Sequence, residues 1–361
     1  MRFLFFQKMI SMHFSSFLRE LSNDHDVYLF VDEEISESRR KQGWKVPDLG
    51  NTIVKINSSI SDTKKIIDKE DEAILVFSSI YNSKKNNIFF KYASKKGRKL
   101  GISSEPYEAN GWKGTLRFLR SKVYFYFYGK SIKFILTKGN LGVNWFTKVG
   151  YKKNIVHQWA YFIENNGKTL DRLKINSSMV ELIYVGQLIN RKRILELLKV
   201  VSEIENVRIR IIGRGELKEE VVEFAQNYPK RIEYLGTLEN SKVLECVSKS
   251  DLLVLPSVFD GWGAVVNESL QLGTPVLCTD TCGASVLVDG SIRGESFAWD
   301  EEKLKELIIK WAQKDDLRDN RNQIIEWSNN LSFVKAKDYF IEVMTSIEDK
   351  KENHFIKAPW L

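Results

Sequence analysis

Two carboxylates with seven residues between them, Asp260 and Glu268, stand in Pro256-Ser-Val-Phe-Asp260-Gly261-Trp262-Gly263-Ala-Val-Val-Asn-Glu268. An apolar run precedes them, glycines follow Asp260 at 261 and 263, and a helical pattern starts at once. In open α/β folds this place, the carboxyl end of a strand, is where ligands bind, and free amides at a helix start attract phosphate. Glycine lets the backbone approach such a ligand closely. Asp260 falls in the loop and Glu268 well into the helix, so they do not share a turn. Either they accept hydroxyl groups at two ends of one polyhydroxylated ligand, or Asp260 is a helix cap and Glu268 a solvated helical residue.

The elements needed to hold this loop are legible around it. From residue 181, short β-rich runs alternate with amphipathic stretches: Leu182–Val185 then 191–204, Val207–Ile212 then 216–227, Ile232–Leu235 then 240–249, Leu252–Leu255 then 263–272, and Pro275–Cys278. Such alternation predicts parallel strands with crossover helices. The first half reads in the same way, with strands at Phe3–Phe6, Val27–Val31, Ile53–Ile56, Ala73–Phe77, Leu100–Ile102 and Phe134–Thr137, and helices at Phe14–Leu21 and Ser83–Lys96. A length of 361 residues suits two such domains. The polar stretch 165–178 marks the join, which predicts domains over 1–172 and 173–332, with a last helix near 333–347 in a terminal segment, 333–361, that returns to the first domain.

Composition, 43% hydrophobic and 28% charged, is that of a folded globular protein. Gln7 and Lys8 interrupt the opening apolar run short of a signal peptide, and no apolar run reaches the ~20 residues of a membrane-spanning helix. Cys246, Cys278 and Cys282 form no CxxC pair, so no metal site is expected and a reduced, cytoplasmic setting is.

Charge is divided unevenly. Residues 1–175 hold 31 Lys/Arg against 17 Asp/Glu, a net of +14, which leaves 24 against 30, or −6, for the rest. Residues 84–153 alone carry 17 basic and two acidic residues, interleaved with Phe89, Phe90, Tyr92, Trp112, Phe118 and the 124–128 aromatic run. Nucleic acid, an anionic membrane face or a phosphorylated acceptor would each suit that pattern, as would a solvated basic face with its aromatics in the core.

The second half resembles a known family. Asp260-x7-Glu268 with its glycines and the following Gly273-Thr-Pro275 look like the E-x7-E signature of the retaining GT-B glycosyltransferases of family 4. Tyr184-Val-Gly186-Gln187-Leu-Ile-Asn-Arg-Lys192 resembles that family's strand-Gly-Arg-Leu-x-x-x-Lys element, and Ile211-Ile-Gly213-Arg214-Gly215-Glu-Leu217 its Gly-x-Gly-x-Leu turn. Tyr234-Leu-Gly236 and Ser250-Asp251 through Pro256-Ser257 follow in the family's order.

The resemblance implies a GT-B fold, two Rossmann-like domains facing each other across a cleft, and transfer of a sugar from a nucleotide diphosphate-sugar with retention of configuration and without a metal or other cofactor. It implies that Glu268 accepts from the ribose hydroxyls, Asp260 from the transferred sugar, and that Lys192 and the Gly261–Gly263 amides stabilise the diphosphate. Gly186, Gln187, Gly213, Arg214 and Trp262 complete the donor site so implied, Trp262 either packing over the donor or stabilising the loop.

Gln187 stands where the family usually has Arg, with Arg191, Arg193 or Arg214 available in its place, and Asp260 replaces the commoner Glu. The first domain departs further. Its acceptor loop, Gln7 to His13, lacks glycine, and His13 and Glu105 are the acceptor-side candidates. The expected acceptor is a saccharide or lipid-linked saccharide of a bacterial surface polysaccharide (capsule, O-antigen or exopolysaccharide), used by an enzyme peripheral on the anionic membrane face, with no nucleic acid bound. Two rivals are a nucleotide-sugar epimerase of the same fold and a nucleic-acid-binding protein. Gly213-Arg-Gly215 is not a dinucleotide fingerprint, because Lys218 occupies the third glycine position.

Overall fold

Phe3, Leu4, Phe5 and Phe6 place four apolar side chains in a row, the pattern of a strand covered on both faces, and all four are buried. They lie on β1 (Arg2–Met9), an interior strand of a seven-stranded sheet with β2 (Asp26–Glu33), β3 (Ile53–Ile56), β4 (Ile74–Phe77), β5 (Leu100–Ser104), β6 (Ile132–Lys138) and β7 (Val156–Trp159). The order is β3-β2-β1-β4-β5-β6-β7, with every pairing parallel. Parallel neighbours need crossovers. These are supplied by α1 (Met12–Leu21), α2 (Glu37–Arg40), α3 (Ile60–Lys69), α4 (Lys84–Lys95), α5 (Gly111–Tyr128) and α6 (Gly139–Val149).

The computed structural model describes residues 1–40, 45–78, 80, 81, 83–162, 179–288, 290–314, 317–349 and 356–361. The join expected at 165–178 lies outside the described residues. The chain forms two compact units, one of residues 1–164 with 331–359 and 361, the other of 165–330 with 360.

In the second unit β8 (Val180–Val185), β9 (Val207–Ile212), β10 (Ile232–Gly236), β11 (Leu252–Leu255), β12 (Val276–Thr279) and β13 (Gly294–Phe297) form a parallel sheet of order β10-β9-β8-β11-β12-β13. Its helices are α7 (Ile194–Ser202), α8 (Lys218–Asn227), α9 (Asn240–Lys249), α10 (Ala264–Gln271), α11 (Glu301–Ala312) and α12 (Arg321–Ser328). Both units are therefore Rossmann-like, as the strand-helix alternation predicts.

Asp251, buried before β11, accepts from the Glu181 amide at 3.0 Å and from two guanidinium nitrogens of Arg318, each at 2.9 Å. This charge-assisted fork ties the segment before α12 to the amino ends of two central strands. Gly273 ends α10 at φ 73°, and an added Cβ would lie 2.8 Å from the Arg321 carbonyl oxygen. The Gly273-Thr-Pro275 element is thus a helix stop that seats α10 beside α12.

The last helix, α13 (Phe333–Glu348), belongs to the first unit and packs on α1. Phe340 sits among Phe3, Phe5, Phe17 and Trp159, with ring centroids 5.1–6.1 Å apart. On the other face of β1, Phe6 stacks between Phe30 and Phe77 at 4.8 and 4.5 Å. Aromatic pairs at these separations add to the burial term itself.

The basic, aromatic segment 84–153 divides in two. Phe89 and Phe90 are buried, and Phe118, Tyr124, Phe125 and Tyr128 pack against the core. Arg98 is structural too, its guanidinium donating to the carbonyls of Ile67 and Glu70. Of the aromatics in this segment, Trp112, Tyr126 and Phe127 are exposed, and all three lie on one face of α5.

Candidate active site

The strand order of the second unit reverses between β8 and β11, which are hydrogen-bonded neighbours. At such a switch point the loops leaving the two strands diverge, and a crevice opens at their carboxyl ends. The loop after β8 runs from Gly186 to Arg193 and the loop after β11 from Pro256 to Gly263. Two of the sequence segments that carry the family resemblance therefore meet at one place.

Side chains join the two loops. The Lys192 ammonium, only 8% exposed, donates to Asp260 Oδ2. Arg191 donates to the Phe259 carbonyl, the Val258 amide returns a bond to the Arg191 carbonyl at 2.8 Å, and Arg193 reaches the Pro256 carbonyl at 3.4 Å. Arg193 also lies over the Trp299 ring at 4.2 Å, in a left-handed backbone conformation (φ 51°). Arg191 and Arg193 are thus bound into the 256–259 backbone, whereas Arg214 is exposed in the turn after β9.

Gly263 caps α10 at φ 87°, with no side-chain cap on the helix start. A Cβ there would sit 2.8 Å from Cys282 Sγ, so only glycine lets the loop pass this close. Gly261 is partly exposed beside it. Trp262 points inward, which agrees with its loop-stabilising reading and not with packing over the donor. It is 1% exposed and its indole N–H donates to Asn267 Oδ1 at 2.7 Å, while its carbonyl accepts from the Ala284 amide at 2.8 Å and lies 2.9 Å from Cys282 Sγ. Its work is to hold the loop and the first turn of α10 together. The backbone of Asp260 is fixed likewise, its amide donating to Thr281 and its carbonyl accepting from Gly283.

Glu268 lies in the second turn of α10, and burial alone raises its carboxyl to about 7. It is not the solvated helical residue that was the alternative reading. A desolvated carboxyl of this kind is poised to accept hydrogen bonds from a ligand that brings its own donors.

Gly186 and Gly213 abut at the ends of β8 and β9. A Cβ on Gly213 would fall 1.8 Å from the Gly186 carbonyl oxygen, so this approach of two backbones excludes any side chain. Gln187 is exposed, and its carbonyl accepts from the Tyr184 hydroxyl at 2.8 Å.

In the first unit the structure joins the two acceptor-side candidates through a third residue. His13 stands in the first turn of α1 rather than in a loop, with its ring stacked on Tyr161 at 4.5 Å and 12°. The Tyr161 hydroxyl donates to Glu105 Oε1. Lys138, at the carboxyl end of β6, puts its ammonium 5.7 Å from the same ring and 3.4 Å from Ser103 Oγ, and burial lowers its pKa to about 8. Gln7 Oε1 and Thr137 Oγ1 are buried near these strand ends with no hydrogen-bond partner.

Sequence reasoning missed Lys138 and Tyr161. Lys138 directly follows the predicted strand Phe134–Thr137, a strand-end position that could have flagged it. Tyr161 follows β7, which was not predicted. Among the described residues no group of three or more His, Cys, Asp or Glu side chains is arranged to hold a metal ion.

Residues 168–330, which fall in the second unit, match the family described as "Glycosyl transferases group 1". The chain is 24% identical over 153 residues to the uncharacterized glycosyltransferase MJ1607 of Methanocaldococcus jannaschii, covering 37% of this chain and 39% of that one. It is 33% identical over 106 residues to the glycosyltransferase TuaC of Bacillus subtilis (29% and 26%), and 28% identical over 130 residues to the sulfoquinovosyl transferase SQD2 of Arabidopsis thaliana (36% and 25%). The chain thus spans between a quarter and two-fifths of the length of these relatives.

Similarity of fold extends further. The structure of Anabaena HepE in complex with UDP superimposes with a TM-score of 0.71 at 12% identity, over 96% of this chain and 100% of that one. The lipopolysaccharide outer core galactosyltransferase WaaB gives 0.67 at 14% identity, over 97% and 100%. The fold is GT-B, with two parallel Rossmann-like sheets of seven and six strands.

Proposed function

We propose that this chain is a retaining glycosyltransferase that moves a sugar from a nucleotide diphosphate-sugar to a saccharide or lipid-linked acceptor. The observation that carries the reading is the meeting of Lys192, Asp260, two glycine turns and the start of α10 at the switch point of a group 1 glycosyl transferase domain. The UDP bound by HepE supports a nucleotide diphosphate donor.

In this reading Glu268 accepts from the ribose hydroxyls, and the donor diphosphate draws the Lys192 ammonium away from Asp260. Asp260 is then released to hold hydroxyls of the sugar. As the glycosidic C–O bond breaks, negative charge grows on the diphosphate, and Lys192 with the α10 amides stabilises that charge more than the ground state. The acceptor attacks from the face the leaving group vacates, and the departing phosphate takes its proton. No step is assigned to a metal ion.

On the acceptor side the reading gives Lys138, His13, Glu105 and Tyr161 the task of holding a hydroxylated, anionic acceptor. The similarity to WaaB supports a surface-polysaccharide pathway, and the basic first unit supports work at the cytoplasmic membrane face. Transfer tested with a panel of nucleotide-sugars and lipid-phosphate or oligosaccharide acceptors should yield a product with the donor's anomeric configuration by NMR. An inverted product, or release of a nucleotide-sugar isomer without any acceptor, would overturn the reading.

A further inference from the structure

Helix α5 carries two apolar stripes. Gly114, Phe118, Phe125 and Tyr128 face the core of the first unit. Trp112, Leu116, Leu119, Val123, Tyr126 and Phe127 recur at helical spacing on the opposite side, and each is exposed, from 53% at Val123 to 83% at Tyr126. At ~100° per residue these six positions share one face over the whole length of the helix. Folded chains seldom leave so continuous an apolar face in water without a partner for it.

The borders of the stripe say what the partner is. Every charged residue of α5 is basic: Lys113, Arg117, Arg120 and Lys122, with Lys130 just beyond. Lys113, Arg117 and Arg120 follow one edge and Lys122 the other. Arg117 lies 3.8 Å from Glu108, and Arg120 rests on the Tyr81 ring at 4.2 Å, so both are held where they are. An apolar strip between cationic edges matches an anionic lipid surface, whose headgroups meet the cations and whose acyl boundary meets the strip.

Other occupants fit less well. A second copy of α5 would set cationic edge against cationic edge. The middle of the stripe is aliphatic, Leu116, Leu119 and Val123, and these cannot stack on bases as nucleic acid would require. Trp112, Tyr126 and Phe127 lie on the same face as the aliphatic residues, as the apolar face of an interfacial helix has them. No helix among the described residues is long and apolar enough to cross a membrane, so α5 would lie on the bilayer and not span it.

We propose that α5 is a membrane-docking helix, lying in the plane of an anionic bilayer surface with Trp112, Leu116, Leu119, Val123, Tyr126 and Phe127 inserted. This rests on the peripheral-membrane part of the reading above and is independent of the donor site, because its test contains no nucleotide. Purified full-length chain is floated with vesicles of phosphatidylcholine alone or mixed with phosphatidylglycerol. The wild type should float with the mixed vesicles, and added salt should weaken this. Leu116→Ser/Leu119→Ser/Val123→Ser, with an unchanged circular dichroism spectrum, should lose about tenfold or more of the bound fraction. Lys113→Gln/Arg120→Gln/Lys122→Gln should lose the preference for the anionic lipid. Brominated lipid should quench wild-type fluorescence more than that of Trp112→Phe. Wild type that does not float, a folded triple serine variant that floats like wild type, an α5-dependent dimer without lipid binding, or capture of a single-stranded oligonucleotide in place of vesicles would each overturn the proposal.

Discussion

Lys192 and Asp260 are 68 positions apart in sequence, yet the lysine ammonium donates to the aspartate carboxylate at the point where the sheet of the second unit reverses its strand order. The two residues come from different loops, one after β8 and one after β11. Each keeps the other's charge satisfied in a largely desolvated place, and the proposed function gives each a separate task once a ligand enters.

Breaking that pair from one side should cost stability as well as activity. Removing one partner of a fully buried pair costs about 3–5 kcal/mol. Lys192 and Asp260 side chains keep 10% and 17% exposure, so about 1–3 kcal/mol is expected here for Lys192→Ala. Urea midpoints read this directly, and the double variant with Asp260→Asn should recover part of the loss. Sugar transfer by Lys192→Ala should fall about 100-fold or more, since a cation on the growing diphosphate charge is removed.

Glu268 ties donor binding to pH. Burial raises its carboxyl from its ordinary value of 4.5 to about 7 in the folded chain, so the native state holds an extra proton between these two values. Stability of the free protein is fully present below about 4.5 and declines as pH rises through 7, by up to about 3 kcal/mol. Ligand hydroxyls that donate to the ionised form favour it, so donor affinity should strengthen as pH rises from 6 to 8. Glu268→Gln should abolish that dependence, weaken donor binding and raise the melting temperature at pH 8. A melting temperature unchanged at pH 8 would contradict the desolvation.

The glycine turns make a sharper comparison. Gly213→Ala places a methyl carbon against the Gly186 carbonyl, whereas Gly236→Ala, also at positive φ (73°), meets nothing within 4 Å. The second variant should lose only the ~1–2 kcal/mol of a left-handed alanine. The first should lose more and also weaken nucleotide binding, because the loop after β8, which lines the crevice, is forced away from the turn after β9. Chemical denaturation with parallel calorimetric titration separates the two effects.

Lys138 supplies the test of the acceptor side. Lys138→Met should raise the acceptor KM or lower acceptor-dependent kcat about tenfold or more while leaving the response to nucleotide-sugars intact. With its pKa lowered to about 8 by burial, the wild-type ammonium is lost above that pH, and acceptor-dependent transfer should decline there. The folded chain meanwhile holds fewer protons than the unfolded chain between about 8 and 10.5, so this group adds stability as pH rises through that range.

The sequence made the interior of the fold legible and its edges much less so. Val207–Ile212 and Leu252–Leu255 were read to the residue, since apolar runs of strand length bounded by polar turns have few other solutions. β7, Val-His-Gln-Trp, and β13, Gly-Glu-Ser-Phe, escaped notice because edge strands need little apolar surface. The 123–128 run, rich in β-forming aromatics, gave no helical signal. Residues 111–128 are apolar on two faces, so the periodicity that marks a one-sided helix is blurred.

In the candidate site the donor loops were legible because their glycines and charges are local in sequence. The pairing of Lys192 with Asp260 and the inward turn of Trp262 were not, since both depend on contacts between loops that only the folded sheet brings together. The acceptor side was read least. His13 and Glu105 meet through Tyr161, which follows a strand that the pattern did not reveal.

The most direct test of the central claim is calorimetric titration of wild type, Glu268→Ala and Asp260→Ala with a nucleotide diphosphate and with the matching nucleotide-sugar. The account predicts that wild type binds both, that Glu268→Ala binds neither, and that Asp260→Ala keeps the nucleotide diphosphate while losing the added affinity for the sugar. Wild-type affinity for the nucleotide-sugar in both variants would contradict it.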